Sequence, residues 1–257
     1  MSAICLLGLA FAGCDTTPRD EASRWTPERL YTEAKEEAAA GNYDKSTRLY
    51  ERLEGRAAGS VLAQQAQIEK AFLLWKNGEK AQALSTLERF IKLHPTSPAL
   101  DYALYLQGLV NFNENLGLLG GLTSQDLSER DQQASRDAYQ SFRLLTDQFP
   151  QSTYAEDARQ RMGYIVNSLA AYEVHVARYY FRRGAFVAAA NRAQQAIQEF
   201  QQSPSSEEAL VILAQSYDRL GLTQLRDDAQ RVLKTNFPNS AVAVGTGMRK
   251  APWWQLW

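Results

Sequence analysis

The sequence predicts an all-α, helical solenoid of about five helix-turn-helix repeats, and three observations predict it. First, a short phrase closes successive segments: Leu93-His94-Pro95-Thr96-Ser97, Gln148-Phe149-Pro150-Gln151-Ser152 and Asn236-Phe237-Pro238-Asn239-Ser240. A degraded copy, Glu199-Phe200-Gln201-Gln202-Ser203, carries Gln where the others carry Pro. Each copy ends an amphipathic stretch rich in Ala and Leu, and helical hairpins recurring every few tens of residues mark a solenoid. Second, 15 Gly and 8 Pro are few for a β protein of 257 residues, and Val and Ile are sparse beside Ala, Leu, Gln, Glu and Arg. Third, Gly78, Gly184 and Gly221 each stand a dozen residues before an apolar position, Phe90, Ala196 and Leu233. A glycine there permits the left-handed turn between two paired helices.

The chain opens with an uncharged, mostly apolar run, Met1 to Gly13, that is too short to span a bilayer. It fits the apolar core of a secretory signal (residues 1–13), and Leu9-Ala10-Phe11-Ala12-Gly13-Cys14 resembles a bacterial lipobox, with Phe11 where Leu is commonest. A buried N-terminal strand or helix is the other reading. Residues 14–25 then form a polar, lipid-anchored tether. Thr26-Pro27 opens the first helix, with Thr as cap and Pro in the first turn. Leu30, Tyr31, Ala34 and Ala38 share its apolar face. Gly41 ends it, and Tyr43, Leu49, Tyr50 and Leu53 line the return. Ala63, Ala66, Ala71, Phe72 and Trp75 form the next helix, answered by Ala81, Leu84, Leu87, Phe90 and Ile91.

Ser97-Pro98 opens a third pair through Tyr102, Tyr105, Leu106, Leu109 and Phe112. Residues 113–131 break the period, with Gly117, Gly120 and Gly121 among several Leu, and read as a loop inside this repeat. Its Leu116-Gly117-Leu118-Leu119 suggests contact with something other than water. Thr153 with Glu156, and Ser205 with Glu208, have the spacing of capping boxes. The first opens an unusually long helix reaching about Arg183. Residues 26–112 thus form the N-terminal repeats and 132–240 the C-terminal ones. A tail, 241–257, carries Trp253, Trp254 and Trp257, which either cap the final repeat or insert into a partner.

The residues offer no reactive centre. Two His and two Cys occur in the whole chain, and none has a ligand-spaced companion. Cys5 leaves with the signal, and Cys14 would be blocked by lipid, so no disulfide is expected. The carboxylate pairs Glu36-Glu37, Glu207-Glu208 and Asp227-Asp228 suit helix surfaces and helix starts better than acid–base work. The expectation is therefore no enzyme, no metal and no cofactor. A net charge of −1 argues against a nucleic-acid binder. Paired helices with small residues at these spacings form the tetratricopeptide pattern, which builds surface for binding.

From Glu129 to Asn239 the chain carries Arg130-Asp131, Ala138-Tyr139, Phe142, Phe149-Pro150-x-Ser152-x-Tyr154-Ala155 and Asp157-Ala158-x-x-Arg161-Met162. Leu169-Ala170-x-Tyr172-Glu173-x-x-Val176-Ala177-x-Tyr179-Tyr180, Arg183-Gly184-Ala185, Ala189-Ala190-Asn191-Arg192-Ala193 and Glu208-Ala209-Leu210 follow. With the lipobox and the five repeats, these residues resemble the BamD (competence lipoprotein) family of the β-barrel assembly machinery. The resemblance implies diacylglycerol and palmitate on Cys14 and a periplasmic-face position at the outer membrane. Asp15 directly after Cys14 departs from that, because such an Asp favours inner-membrane retention in enteric bacteria. It also implies binding to the periplasmic domains of BamA, in many species to BamC and BamE, and to unfolded outer-membrane proteins. Tyr31, Tyr43, Arg48, Tyr50, Arg52 and Trp75 are the candidates for substrate, as aromatics and bases that could hold an unfolded strand terminus. Arg182, Arg183, Asn191, Arg192 and Asp218 are the candidates for the partner, although Asn191-Arg192 could equally fix packing within a repeat. A periplasmic tetratricopeptide protein coordinating envelope or peptidoglycan processes is the alternative function.

Overall fold

The computed structural model describes residues 21–112 and 129–240. Those residues hold ten α-helices, one 3-10 turn (Glu21–Arg24) and no strand. The helices are α1 (Pro27–Ala39), α2 (Tyr43–Arg56), α3 (Val61–Lys76), α4 (Lys80–Leu93), α5 (Leu100–Asn111), α6 (Glu129–Gln148), α7 (Ala155–Arg182), α8 (Phe186–Glu199), α9 (Ser206–Arg219) and α10 (Thr223–Asn236). The all-α fold of helical hairpins is therefore as expected. The helix α6 begins at Glu129, inside the segment expected to be loop. The signal, Cys14, the rest of the 113–131 segment and the tail lie outside the described residues.

Two kinds of turn punctuate the chain. The first is glycine-based: Gly41, Gly78, Gly184 and Gly221 all have φ between 71° and 84°. After α1, the Gly41 N–H donates to Ala38 O and the Asn42 N–H to Glu37 O, and the same pair of bonds recurs at Gly184 and Gly221. This is the Schellman geometry, in which the left-handed residue lets the last carbonyls of the helix find donors. The second turn is the recurring phrase. At His94, Phe149, Phe200 and Phe237 the N–H closes the helix, and the serine three residues on donates its own N–H back to that residue's carbonyl at 2.9–3.1 Å. The serine hydroxyls add a further bond, since Ser97, Ser152 and Ser203 accept from the N–H two residues ahead, at 3.2–3.4 Å. Ala57 to Ser60 makes the same backbone turn without an aromatic or a proline, so this copy was invisible as a phrase.

Caps follow the sequence only in part. Thr26 Oγ1 accepts from the Arg29 N–H at 3.3 Å with Pro27 in the first turn, as expected. The two capping boxes do not form: α7 is preceded by Tyr154 and α9 by Ser205 in helical backbone, neither with a side-chain cap. Ser152 and Ser203 instead engage the N–H groups at each helix start, those of Tyr154 and Ala155 and of Ser205 and Ser206. Ala81 faces solvent rather than the core.

The chain divides into two compact units, Met1–Asn77 and Gly78–Trp257. In the first, α1, α2 and α3 pack on one another around Leu30, Ala34, Leu49, Tyr50, Leu53, Ala63 and Ala66. Ser46 is fully buried and donates to Ala34 O at 2.6 Å, tying α2 to α1. In the second unit each helix packs on its neighbour in sequence, and α7 also packs on α9. One core lies around Leu104, Phe142, Leu145 and Ile165, and another around Val174, Ala177, Ala189, Ala193 and Leu213. The 28 residues of α7 serve both. Gly108 permits the closest approach, because a Cβ there would stand 2.3 Å from Phe142 Cε1.

Candidate protein-binding surface

In the first unit the six residues expected to meet substrate separate into three groups. Tyr50 is a correction: at 1 % exposure it is core, packed against Tyr31 with ring centroids 5.8 Å apart, and it presents no surface. Helical spacing alone could not tell this tyrosine from its neighbours. Tyr31 is half-buried, and its hydroxyl is enclosed without a hydrogen-bond partner. Burial and the nearby Glu69 carboxylate push its hydroxyl upward. Burial also pushes the Glu69 carboxyl up, partly opposed by Lys35.

Trp75 belongs to a cluster with Phe72 and Lys76. Phe72 and Trp75 meet edge to face with centroids 6.1 Å apart, and Lys76 Nζ lies 5.6 and 5.4 Å from the two ring centres. Lys35 Nζ stands 5.8 Å from the Tyr31 ring. These are contacts at one helical turn, so Tyr31-Lys35 and Phe72-Trp75-Lys76 were readable as spacings. Tyr43 and Arg48 line an open cavity of about 530 Å³ with Glu37, Gly41, Asn42, Asp44, Lys45 and Asn77. Hydrogen bonds from Lys45 and Asn42 hold the Glu37 carboxyl below the usual range. Arg52 is exposed on α2, on a different turn from Arg48.

In the second unit, Arg182 and Arg183 are exposed at the end of α7. The Arg183 guanidinium lies 5.4 Å from the Tyr179 ring centre, and Tyr179 is 46 % exposed. Phe181 meets Phe186 across the turn at 5.3 Å, and Arg219 approaches Phe186 at 5.8 Å. The turns after α7 and α9 thereby form an edge of aromatic rings under guanidinium groups. Asn191 is exposed on α8. Arg192 donates from Nη1 to the buried Glu173 at 3.0 Å, a packing contact between α8 and α7, while its side chain stays 41 % exposed. Asp218 accepts from Arg226 at 3.0 Å.

A third grouping joins an i,i+4 pair, Asp157 and Arg161, to a tyrosine 52 residues before the aspartate, and only that last partner had no signature in sequence. The Tyr105 hydroxyl donates to Asp157 Oδ2 at 2.7 Å and Arg161 Nε donates to the same oxygen at 2.6 Å. Burial acts to raise the Asp157 carboxyl, but these two bonds outweigh it and the net direction is downward. Burial and that bond push the Tyr105 hydroxyl up to about 12. The group fastens α5 to α7. Among the described residues no cluster of three or more His, Cys, Asp or Glu could hold a metal, and no helix is long and apolar enough to cross a membrane.

The family model described as "Outer membrane lipoprotein", YfiO, matches residues 24–233. The chain belongs to this family, the BamD family of outer membrane lipoproteins. The outer membrane protein assembly factor BamD of Neisseria meningitidis serogroup A is 46% identical over 98% of this chain and 96% of its own. BamD of Xylella fastidiosa strain Temecula1 is 35% identical over 95% and 84%, and BamD of Vibrio cholerae 31% over 92% and 97%. Among solved structures the chain aligns with the MamA protein at 16% identity, over 88% of this chain and 98% of that one, with a TM-score of 0.39.

Proposed function

We propose that this protein is a non-catalytic scaffold of outer-membrane β-barrel assembly, tethered by acyl chains on Cys14 to the periplasmic face of the outer membrane. The observation that carries the reading is the similarity, 46% and 35% identical over 98% and 95% of this chain, to proteins named outer membrane protein assembly factor BamD. The chemistry of the surfaces agrees with it. Unfolded barrel strands present alternating aromatics and unpaired backbone. The Phe72, Trp75 and Lys76 cluster and the cavity beside Tyr43 and Arg48 offer rings and cations to such a segment. The arginine-topped aromatic edge around Arg182 and Arg183 offers a different chemistry, suited to a folded partner with an acidic, partly apolar face. In this proposal the periplasmic domains of BamA occupy that edge, with BamC and BamE as further companions.

Crosslinked pull-down from membranes, followed by identification of the bound chains, tests the proposal. BamA and immature barrel precursors are the expected catch. Recovery of peptidoglycan-associated proteins without BamA would overturn it in favour of an envelope-coordinating role.

A further inference from the structure

The first unit takes hold of the chain before its first α-helix begins. The 3-10 turn Glu21–Arg24 precedes α1, and so short a turn does not persist in water on its own bonds. The Trp25 N–H donates to Ala22 O at 3.3 Å, at the long end for such a bond. The stronger fastening comes from α2. Its last residue, Arg56, donates from Nη1 to Trp25 O and from Nη2 to Ser23 O, the latter at 2.9 Å. A cation at a helix C-terminus is usually explained by the helix's own carbonyls and dipole. Here both bonds go instead to a segment 31 and 33 residues earlier. The planar fork of a guanidinium can span two carbonyls in this way, whereas a lysine presents a single point of charge. Ala22 is buried in the core around Leu30, Leu49 and Leu53, and Trp25 packs on that core with the Arg29 guanidinium 4.4 Å from its ring centre.

This fastening sets a length. From Cys14 to Glu21 there are seven residue steps, which span at most about 25 Å when fully extended. With residues 21–25 released, the first fixed residue would be Thr26, which caps α1 by accepting from the Arg29 N–H. The twelve steps from Cys14 to Thr26 span up to about 43 Å. Arg56 therefore decides between a short leash and one more than half as long again.

Resting on the acylation of Cys14 put forward above, we propose that Arg56 is the positioning residue of the lipid anchor. By clasping Ser23 and Trp25 it keeps the corner of the first unit where α2 ends within about 25 Å of the phospholipid surface. The acylated full chain, purified from bacterial membranes and reconstituted into phosphatidylethanolamine–phosphatidylglycerol vesicles, tests this. Once Cys5 has left with the signal and Cys14 is acylated, Val61→Cys adds a single free thiol for a donor dye. Val61 is 75 % exposed and stands five residues after Arg56. Headgroup-labelled lipid is the acceptor. Arg56→Ala should lower energy transfer by as much as a five-residue Gly-Ser insertion between Asp20 and Glu21 does in the parent. Deleting residues 16–20 from the Arg56→Ala chain should restore the parent's transfer, which a merely structural role would not allow. Arg56→Lys, which cannot span both carbonyls, gives the same loss and serves where Arg56→Ala fails to fold. Acylated, vesicle-bound protein whose transfer is unmoved by loss of Arg56, or whose loss the deletion does not repair, would overturn the proposal alone. A chain whose intact mass shows no acyl groups on Cys14, and which does not float with the vesicles, would overturn the anchored reading and this proposal with it.

Discussion

Glu69 carries its carboxyl in a half-buried site beside Tyr31 and Tyr50, where burial outweighs the opposing pull of Lys35. Its folded-state pKa lies above the ordinary 4.5. The folded protein thus holds this proton more tightly than the unfolded chain does. Stability is fully retained below the ordinary value, falls as pH rises toward the raised one, and stays lower above it. Glu69→Gln should therefore match the parent's melting temperature near pH 4 and exceed it at pH 7, as differential scanning calorimetry would show. Asp157 has the opposite sign: its stabilising effect is present above the ordinary 3.8 and is lost as pH falls through the depressed value. Tyr105→Phe removes one of the two bonds that depress it. The expected outcome is an upward shift of the Asp157 titration by NMR and a loss of about 1 kcal/mol, the usual worth of such a bond at a partly exposed site.

At the scale of elements, the α5–α6 contact is the tightest made at any glycine of the described residues. Gly108→Ala drives a methyl into the Phe142 ring, and overpacking of this kind costs about 1–3 kcal/mol. Chemical denaturation should show that loss, and a double-mutant cycle with Phe142→Leu should show the two losses to be less than additive. The contact also marks what sequence could and could not give. Most turns were readable because they demand a residue type, glycine for a positive φ or serine for a hydroxyl that reaches two residues ahead, and the exception is Ala57 to Ser60. Pairings between helices were not, because nothing local distinguishes the partners of Tyr105 and Asp157, 52 residues apart, or of Arg178 and Glu208, 30 apart. The same gap explains Tyr50. Its spacing marks an apolar face, and only the packing of α1, α2 and α3 decides which tyrosine of that face is enclosed.

Across the whole molecule, charge is close to balanced, so recognition depends on local patches and not on an overall field. The arginines at the end of α7 are such a patch. On the proposal that this edge holds BamA, replacing Arg182 and Arg183 by Glu should weaken BamA co-purification roughly tenfold, the effect of about 1.4 kcal/mol, with circular dichroism unchanged. Unchanged co-purification with native helicity would remove that edge from the interface. The same experiment on Arg192→Glu separates the two roles considered for that residue. Because its guanidinium serves the enclosed Glu173, the expected outcome is a lowered melting temperature, which the Arg182 and Arg183 pair should not show.

The helix α7 has 28 residues where α8, α9 and α10 have 14 each. The extra 14 amount to nearly four full helical turns at 3.6 residues each. Side chains a whole number of turns apart point almost the same way, and a single rod can serve Ala170 in one core and Ala177 in the next, seven residues on and rotated by only about 20°, without twisting its apolar stripe out of line. Evolutionary lengthening or shortening of this rod should come in steps of seven or eleven residues. A trim of two would swing Arg178 away from Glu208 and rotate the guanidinium edge with it, so α7 acts as a phase-locked spacer whose length is set in whole turns.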